Sequence, residues 1–331
     1  MKYIKIGASD KDVSKICLGC MSFGDNNTNF LDWTLDYEES EKVMKHAFEL
    51  GINFFDTANC YSAGTSEEYV GRAIKNNFKR DDIFLATKVF FSADKLSGLH
   101  KAGLSRKIIN QEIDKSLKRL GTDHVDLYII HRFDYDTPIE ETMEALDSLV
   151  KAGKVLNLGA SAMYGYQFHN MQAVAEKEGW TKFATMQNHY NLLYREDERE
   201  LIPICRQYGV VLTPYSPLAS GRLSRSQWHS NSKRSQTDKT AVQKYDVSEK
   251  TDEKIVERVK EIAEKYNVTM TQIALAWQFA KGMYSPIVGV SKIKYLDDAV
   301  GALDVILTDE DVKFLDQLYV PHAIVGALNK I

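Results

Sequence analysis

Four side chains in this sequence sit where short apolar runs end and can together move a proton onto a carbonyl oxygen. Asp56 closes INFFD, Lys88 closes IFLATK, His131 closes VDLYIIH, and Tyr61 lies five residues beyond Asp56. Read singly, each has an ordinary structural role. A strand-end Asp caps the next helix, a Lys ends in solvent, and a Tyr or His packs with one hydrogen bond. Read together, they bring a carboxylate, a phenol, an ammonium and an imidazole to one pocket.

A phenol is a weak acid at neutral pH unless a nearby cation stabilises its anion. At about 4 Å and an effective dielectric of about 20, a Lys88 charge would act on Tyr61 with roughly 4 kcal/mol, up to about 3 pKa units before desolvation. The expectation is therefore that Lys88 lowers the Tyr61 pKa and makes it a proton donor. Asp56 would pair with Lys88, and His131 would donate a hydrogen bond to the oxygen as charge develops. None of these groups delivers a hydride, so a reduction needs a nicotinamide or flavin.

The elements that must position these residues alternate along the chain. ICLGC, INFFD, IFLATK, VDLYIIH, VLNLGAS, FATMQ, VVLTPYS and SPIVGV have strand length, and amphipathic segments such as SRKIINQEIDKSLKRLG and IEETMEALDSLVKAG separate them. Their apolar residues recur at i, i+3, i+4 and i+7, with Gly at the stop. Strands apolar on both faces, each followed by a helix and repeated eight times, predict a single-domain α/β protein over 1–331, a (β/α)8 TIM barrel. The leading YIKIGASDKDVSKI predicts an N-terminal β-hairpin at the barrel floor. The polar stretch from Ser224 to Lys250 is long for a connection, and two readings stand: a solvated excursion, or a lid that orders over a ligand.

The composition suits a globular enzyme. The 331 residues are 44% hydrophobic and 27% charged, with six prolines. A net charge of −4 and a pI near 6.1 give no electrostatic reason to bind nucleic acid. The longest apolar runs fall short of a membrane span, and the charged start MKYIKIGASDKDVSK predicts no signal peptide, so the expected location is cytoplasmic. Cys17 and Cys20 form a C-x-x-C, but on one strand residues three apart point to opposite faces, which suits neither zinc nor any other metal.

INFFDTANCYSAGTSEEYVGRAI, ATK, IIH, GAS, MQNHYN, TPYSPLASGRL and PIVGVSK follow one another as in the aldo-keto reductase superfamily, which this chain resembles over essentially its whole length. HRFDYDTPIEETMEAL and QNHYNLLYREDERELIPIC look more narrowly like a bacterial branch that includes a 1-deoxyxylulose-5-phosphate synthase-like reductase. The resemblance implies a catalytic tetrad of Asp56, Tyr61, Lys88 and His131. It implies that Ser161 and Gln187 hold the nicotinamide carboxamide and that Tyr215 stacks on the ring. Ser216, Leu218, Ser220, Gly221 and Arg222 match the segment around the pyrophosphate. Gly289, Ser291 and Lys292 match the 2′-phosphate segment, with Asp298 near the adenine. A cation at the 2′-phosphate implies NADPH rather than NADH. Ala162 stands where many relatives have Asn, and Tyr295 where many have Arg.

Met21, Phe23, Trp33, Phe90, Arg132 and Phe133 are the candidates for the substrate pocket. A largely aromatic wall with one cation suits an aromatic or aliphatic aldehyde, or a small carbonyl compound with an acidic group held by Arg132. Arg132 can equally be a structural partner of Asp134 or Asp136. The expected function is NADPH-dependent reduction of an aldehyde or ketone. Two alternatives are a nicotinamide-binding redox sensor with slow turnover and a 1-deoxyxylulose-5-phosphate synthase-like activity.

Overall fold

The computed structural model describes residues 1–28, 31–94 and 98–324. Eight parallel strands follow the expected order: β1 Cys17–Gly19, β2 Phe54–Asp56, β3 Phe84–Val89, β4 Val125–Ile130, β5 Val155–Ser161, β6 Phe183–Gln187, β7 Val211–Leu212 and β8 Ile287–Gly289. From β1 to β7 each pairs with its sequence neighbour, and β8 pairs with β1. Backbone N–H groups of Tyr284 and Ile287 donate to the carbonyls of Leu212 and Pro214 at 3.0 and 2.9 Å, which joins the β7 and β8 edges and closes the (β/α)8 barrel.

The outer wall consists of α1 Tyr37–Glu49, α2 Thr65–Asn77, α3 Arg106–Leu120, α4 Ile139–Lys151, α5 Gly165–Glu178 and α6 Leu201–Gln207. Further along come α7 Lys233–Thr237, α8 Lys239–Tyr245, α9 Glu249–Tyr266, α10 Met270–Ala280, α11 Lys294–Gly301 and α12 Asp309–Asp316. The α3 helix shows why such segments fold as they do. The Ser105 side chain accepts from the Ile108 N–H at its start, Gly121 ends it with φ +64°, and Ile109, Ile113, Ser116, Leu117 and Leu120 form the buried face. That is the stripe a helix needs against a sheet.

Period-two alternation divides the core into two layers. Cys17, Phe54, Phe84, Ala86, Leu127 and Ile129 fill the barrel interior, while Leu18, Phe55, Leu85, Tyr128 and Ile130 pack between sheet and helices. Continued two residues onward, the same alternation carries Phe54 to Asp56, Ala86 to Lys88 and Ile129 to His131. The predicted site therefore follows from strand register. Cys17 and Cys20 fall in different layers, as the spacing predicts.

The leading hairpin pairs Tyr3 with Ser14 and Ile4 with Val13. Ile6 and Val13 join the interior cluster, and the Asn157 side chain accepts from the Ala8 N–H at 3.0 Å. Gly7, at φ +56°, lies so close to Asn157 that a Cβ would stand 2.1 Å from its Oδ1. The hairpin thus seals the floor, as expected. The stretch after β7 is folded: it holds α7 and α8, whose caps Ser232 and Asp238 accept from Ser235 and Ala241 N–H groups, and it buries Trp228 and Tyr245. Among the described residues, no helix is long and apolar enough to cross a membrane.

Candidate active site

Asp56, Lys88, Tyr61 and His131 meet at the C-terminal mouth of the barrel, and all four are buried. Lys88 lies at the penultimate position of β3 and uses three donors. Its Nζ reaches Asp56 Oδ1 at 2.5 Å, the Thr57 carbonyl at 2.8 Å and Tyr61 Oη at 3.3 Å. Gln187 Nε2 donates to the other Asp56 oxygen at 2.9 Å, and Ser161 Oγ donates to the Gln187 carbonyl at 2.9 Å. Tyr61 opens a short turn in which Ser62 and Ala63 hold φ of +46° and +53°, a left-handed geometry that costs side-chain-bearing residues energy and is sustained by the packing around it.

The electrostatics correct one expectation. Burial pushes the Tyr61 phenol up to about 12, against the pull of Lys88, and Asp56 adds to the rise. Lys88 does favour the phenolate, but Asp56 at 2.5 Å neutralises much of its field, and desolvation wins. Tyr61 is therefore fully protonated at neutral pH. It remains a competent donor to an alkoxide, which is a far stronger base than a phenolate. Burial opposes the Lys88 charge, yet Asp56 and Tyr61 outweigh it, and its pKa is raised.

Burial, then Arg132 and Lys88, hold the His131 pKa well below its ordinary value, so the imidazole is neutral. Its Nδ1 lies 4.0 Å from Cys60 Sγ, and its ring meets Tyr61 edge-on at 5.9 Å. Burial raises Cys60 to about 12, so that the thiol keeps its proton. A neutral imidazole next to a phenol can orient a carbonyl oxygen without competing for the proton.

Two substrate candidates are corrected. Phe23 and Phe90 are fully or almost fully buried in the larger hydrophobic cluster, which leaves neither ring a surface to offer a ligand. The residue after Phe90 is the one at the site: Phe91, like Met21, packs against the cluster of Ala58, Cys60 and Tyr61, and its ring lies 5.3 Å from His131. The error is one residue of register, which exchanges the two faces. Trp33 is covered by the Arg234 guanidinium at 4.3 Å from the ring centre, and Phe133 packs edge-on against Tyr135. Arg132 donates to the His131 carbonyl at 2.6 Å and lies 5.7 Å above Phe91.

At the β7 end, Tyr215 stacks on His189 with ring centres 5.0 Å apart and planes 9° from parallel, and His189 stacks in turn on Tyr194. Ser216, Ala219, Ser220 and Gly221 have positive φ, which makes a tight turn leading to buried Arg222; Leu218 lies within it. Gly289 ends β8, Ser291 and Lys292 follow it before α11, which carries Asp298, and all three are exposed. These residues fit a dinucleotide. Tyr215 Oη and Arg222 Nε are buried polar atoms without a hydrogen-bond partner among the described residues, and Ser291 and Lys292 are open to solvent. His189, Lys244, Tyr245 and Asp246 also belong to this end and were not anticipated. The sequence signal for Lys244 and Tyr245 is an amphipathic KTAVQKY inside a polar stretch, and Asp246 follows it directly.

The Aldo/keto reductase family model matches residues 15–320. The chain belongs to the aldo/keto reductase family. It is 46% identical to a Schizosaccharomyces pombe protein named for an aryl-alcohol dehydrogenase activity, over 98% of this chain and 97% of that one. It is 40% identical to the versiconal hemiacetal acetate reductase of Aspergillus parasiticus, over 98% of each. The thermostable aldo-keto reductase Tm1743, solved with the inhibitor epalrestat, superposes with a TM-score of 0.75 at 27% identity, covering 96% of this chain and 100% of that one. This aldo/keto reductase is an oxidoreductase acting on carbonyl or alcohol groups. Both named relatives are fungal, and they lend no support to the expected bacterial branch.

Proposed function

We propose that this aldo/keto reductase reduces aldehydes with NADPH, using Tyr61 as the proton donor. The observation that carries the reading is the buried chain Gln187–Asp56–Lys88–Tyr61 beside a neutral His131. Bound NADPH supplies the hydride. The protein's own residues do the rest: His131 donates a hydrogen bond to the carbonyl oxygen, Tyr61 Oη gives that oxygen its proton, and Lys88, held by Asp56 and Thr57, steadies the phenolate left behind. Burial keeps water from this exchange.

Tyr215 is the platform for the nicotinamide in this reading, and Ser161 and Gln187 are the carboxamide partners. Ser216, Leu218, Ser220, Gly221 and Arg222 receive the pyrophosphate. Gly289, Ser291 and Lys292 receive the 2′-phosphate, and Asp298 the adenosine. The apolar surface of Met21 and Phe91 beside Tyr61, with Trp33 and Phe133 as the further candidates for the pocket wall, favours an aromatic aldehyde, in keeping with the aryl-alcohol name of one relative. The synthase-like alternative has no support from the relatives above.

The test is NADPH oxidation with aromatic, aliphatic and acidic aldehydes, run beside NADH and beside Tyr61→Phe. Repeated turnover that collapses in Tyr61→Phe, with NADPH binding retained, is expected. Equal turnover in both proteins overturns the role of Tyr61, and preference for NADH overturns the cofactor assignment.

A further inference from the structure

The end of α8 rests on the residues that the proposed reading gives to the dinucleotide. Lys244 Nζ stands 4.9 Å over the Tyr215 ring, while His189 stacks on the same ring. One residue on, Tyr245 is buried, with its Oη 2.8 Å from His189 Nε2 and accepting from Asn191 Nδ2 at 3.1 Å. Asn191 Nδ2 also donates to the Ser216 carbonyl at 2.9 Å. Next, Asp246 accepts from Arg222 Nη2 and, at 2.9 Å, from Trp228 Nε1. The Arg222 guanidinium is flanked by the Trp228 and Tyr245 rings, each centre 5.2 Å away, and its Nε is buried with no hydrogen-bond partner among the described residues.

These contacts occupy the places that the proposed reading gives to the two ends of the cofactor. The Lys244 ammonium stands over the Tyr215 face against which the nicotinamide ring would lie. A carboxylate on Arg222 is where a diphosphate would bind. Three consecutive residues satisfy both ends of one groove, so a dinucleotide cannot use Tyr215 and Arg222 until they withdraw.

We propose that Lys244 and Asp246 are an internal stand-in for the dinucleotide, so that NADPH binds by displacing the end of α8 and not by entering an open cleft. This rests on the nicotinamide reading of Tyr215 and Arg222. Burial pushes the Lys244 amine down to about 8, with Arg132 adding to the fall, so the cation is held at a cost that its departure relieves. A site that must open first binds with an affinity reduced by the fraction that is open, and binding removes that penalty.

The experiment is stopped-flow NADPH binding to the full chain, followed by tryptophan fluorescence, on wild type, Lys244→Met and the double variant Lys244→Met/Asp246→Asn. Wild type should show an observed rate that saturates with NADPH, set by opening. The double variant should lose the saturation and bind roughly five- to thirtyfold more tightly, the range expected for losing one desolvated cation–π contact and its neighbour. Should the double variant not fold by circular dichroism, Lys244→Met carries the test, with a smaller gain of the same sign. Weaker binding by the variants would make Lys244 and Asp246 direct ligands and overturn the proposal, as would a linear wild-type rate. Hydrogen exchange on the nucleotide-free protein separates this from the cofactor reading. Residues 239–245 should be protected in wild type and exchange faster in the double variant; their rapid exchange in wild type overturns the stand-in alone. Failure of both proteins to bind NADPH or NADH overturns both readings.

Discussion

Replacing Lys88 by Met keeps the length of a fully buried side chain and removes its charge. Among the described residues Asp56 then keeps Gln187 Nε2 as the side-chain partner of its carboxylate, and the Thr57 carbonyl loses its 2.8 Å donor. Breaking a buried ion pair from one side costs about 3–5 kcal/mol, because the remaining charge stays uncompensated. Asp56→Asn in the Lys88→Met background removes that charge, so the double variant should recover most of the loss. Turnover should not follow. At 3.3 Å and an effective dielectric of about 20, Lys88 stabilises a Tyr61 anion by up to about 5 kcal/mol, and Asp56 offsets part of this. A net 3–4 kcal/mol corresponds to a kcat lower by about 10²–10³ in both variants. Urea unfolding and single-turnover kinetics on the two single variants and the double variant form a complete cycle. A Lys88→Met loss below about 1 kcal/mol, or a double variant that regains turnover with its stability, would refute the reasoning.

Cys60→Val should lower kcat about five- to tenfold at unchanged KM, because His131 Nδ1 loses its thiol donor and the proton is no longer directed to Nε2, and Cys60→Ser should restore it. Nitrogen NMR of the His131 tautomer checks this independently. Burial holds Asp197 up to about 7, so between about pH 4.5 and 6.5 the folded chain carries a proton there that the unfolded chain lacks, and this contribution favours folding as the pH falls. Asp197→Asn removes it, so stability should fall on acidification about 1.4 kcal/mol per pH unit more steeply than in wild type; an unchanged slope in urea titrations contradicts the assignment. Gly71→Ala puts a Cβ 2.3 Å from the Leu120 carbonyl, where α2 meets the end of α3, and should cost about 1–3 kcal/mol in the same urea assay.

The sequence by itself determined the barrel and the identity of its four central side chains. Alternation of side chains along a strand is a local property, so the run from Phe54 to Asp56 and from Ala86 to Lys88 already says which residues reach the mouth. The same locality makes small errors costly. Phe90 and Phe91 are both aromatic, and nothing in their types tells which of the two faces His131.

Only the tertiary structure decided what depends on residues far apart in the chain. Asp56 receives its second hydrogen bond from Gln187, 131 residues away, and Tyr61 takes its raised pKa from the packing that desolvates it. The sequence suggests the sign of the Lys88 effect but not its rival, because a desolvation penalty is a sum over all the atoms that close around a group. The polar segment after β7 shows the same limit. Its composition leaves a solvated excursion and a lid equally open, and only packing shows that Trp228 and Tyr245 are buried and that Lys244 and Asp246 find Tyr215 and Arg222. Local pattern fixes which elements form and which way their side chains point, whereas charge, burial and occupancy at the site arise from contacts that exist only once those elements have packed.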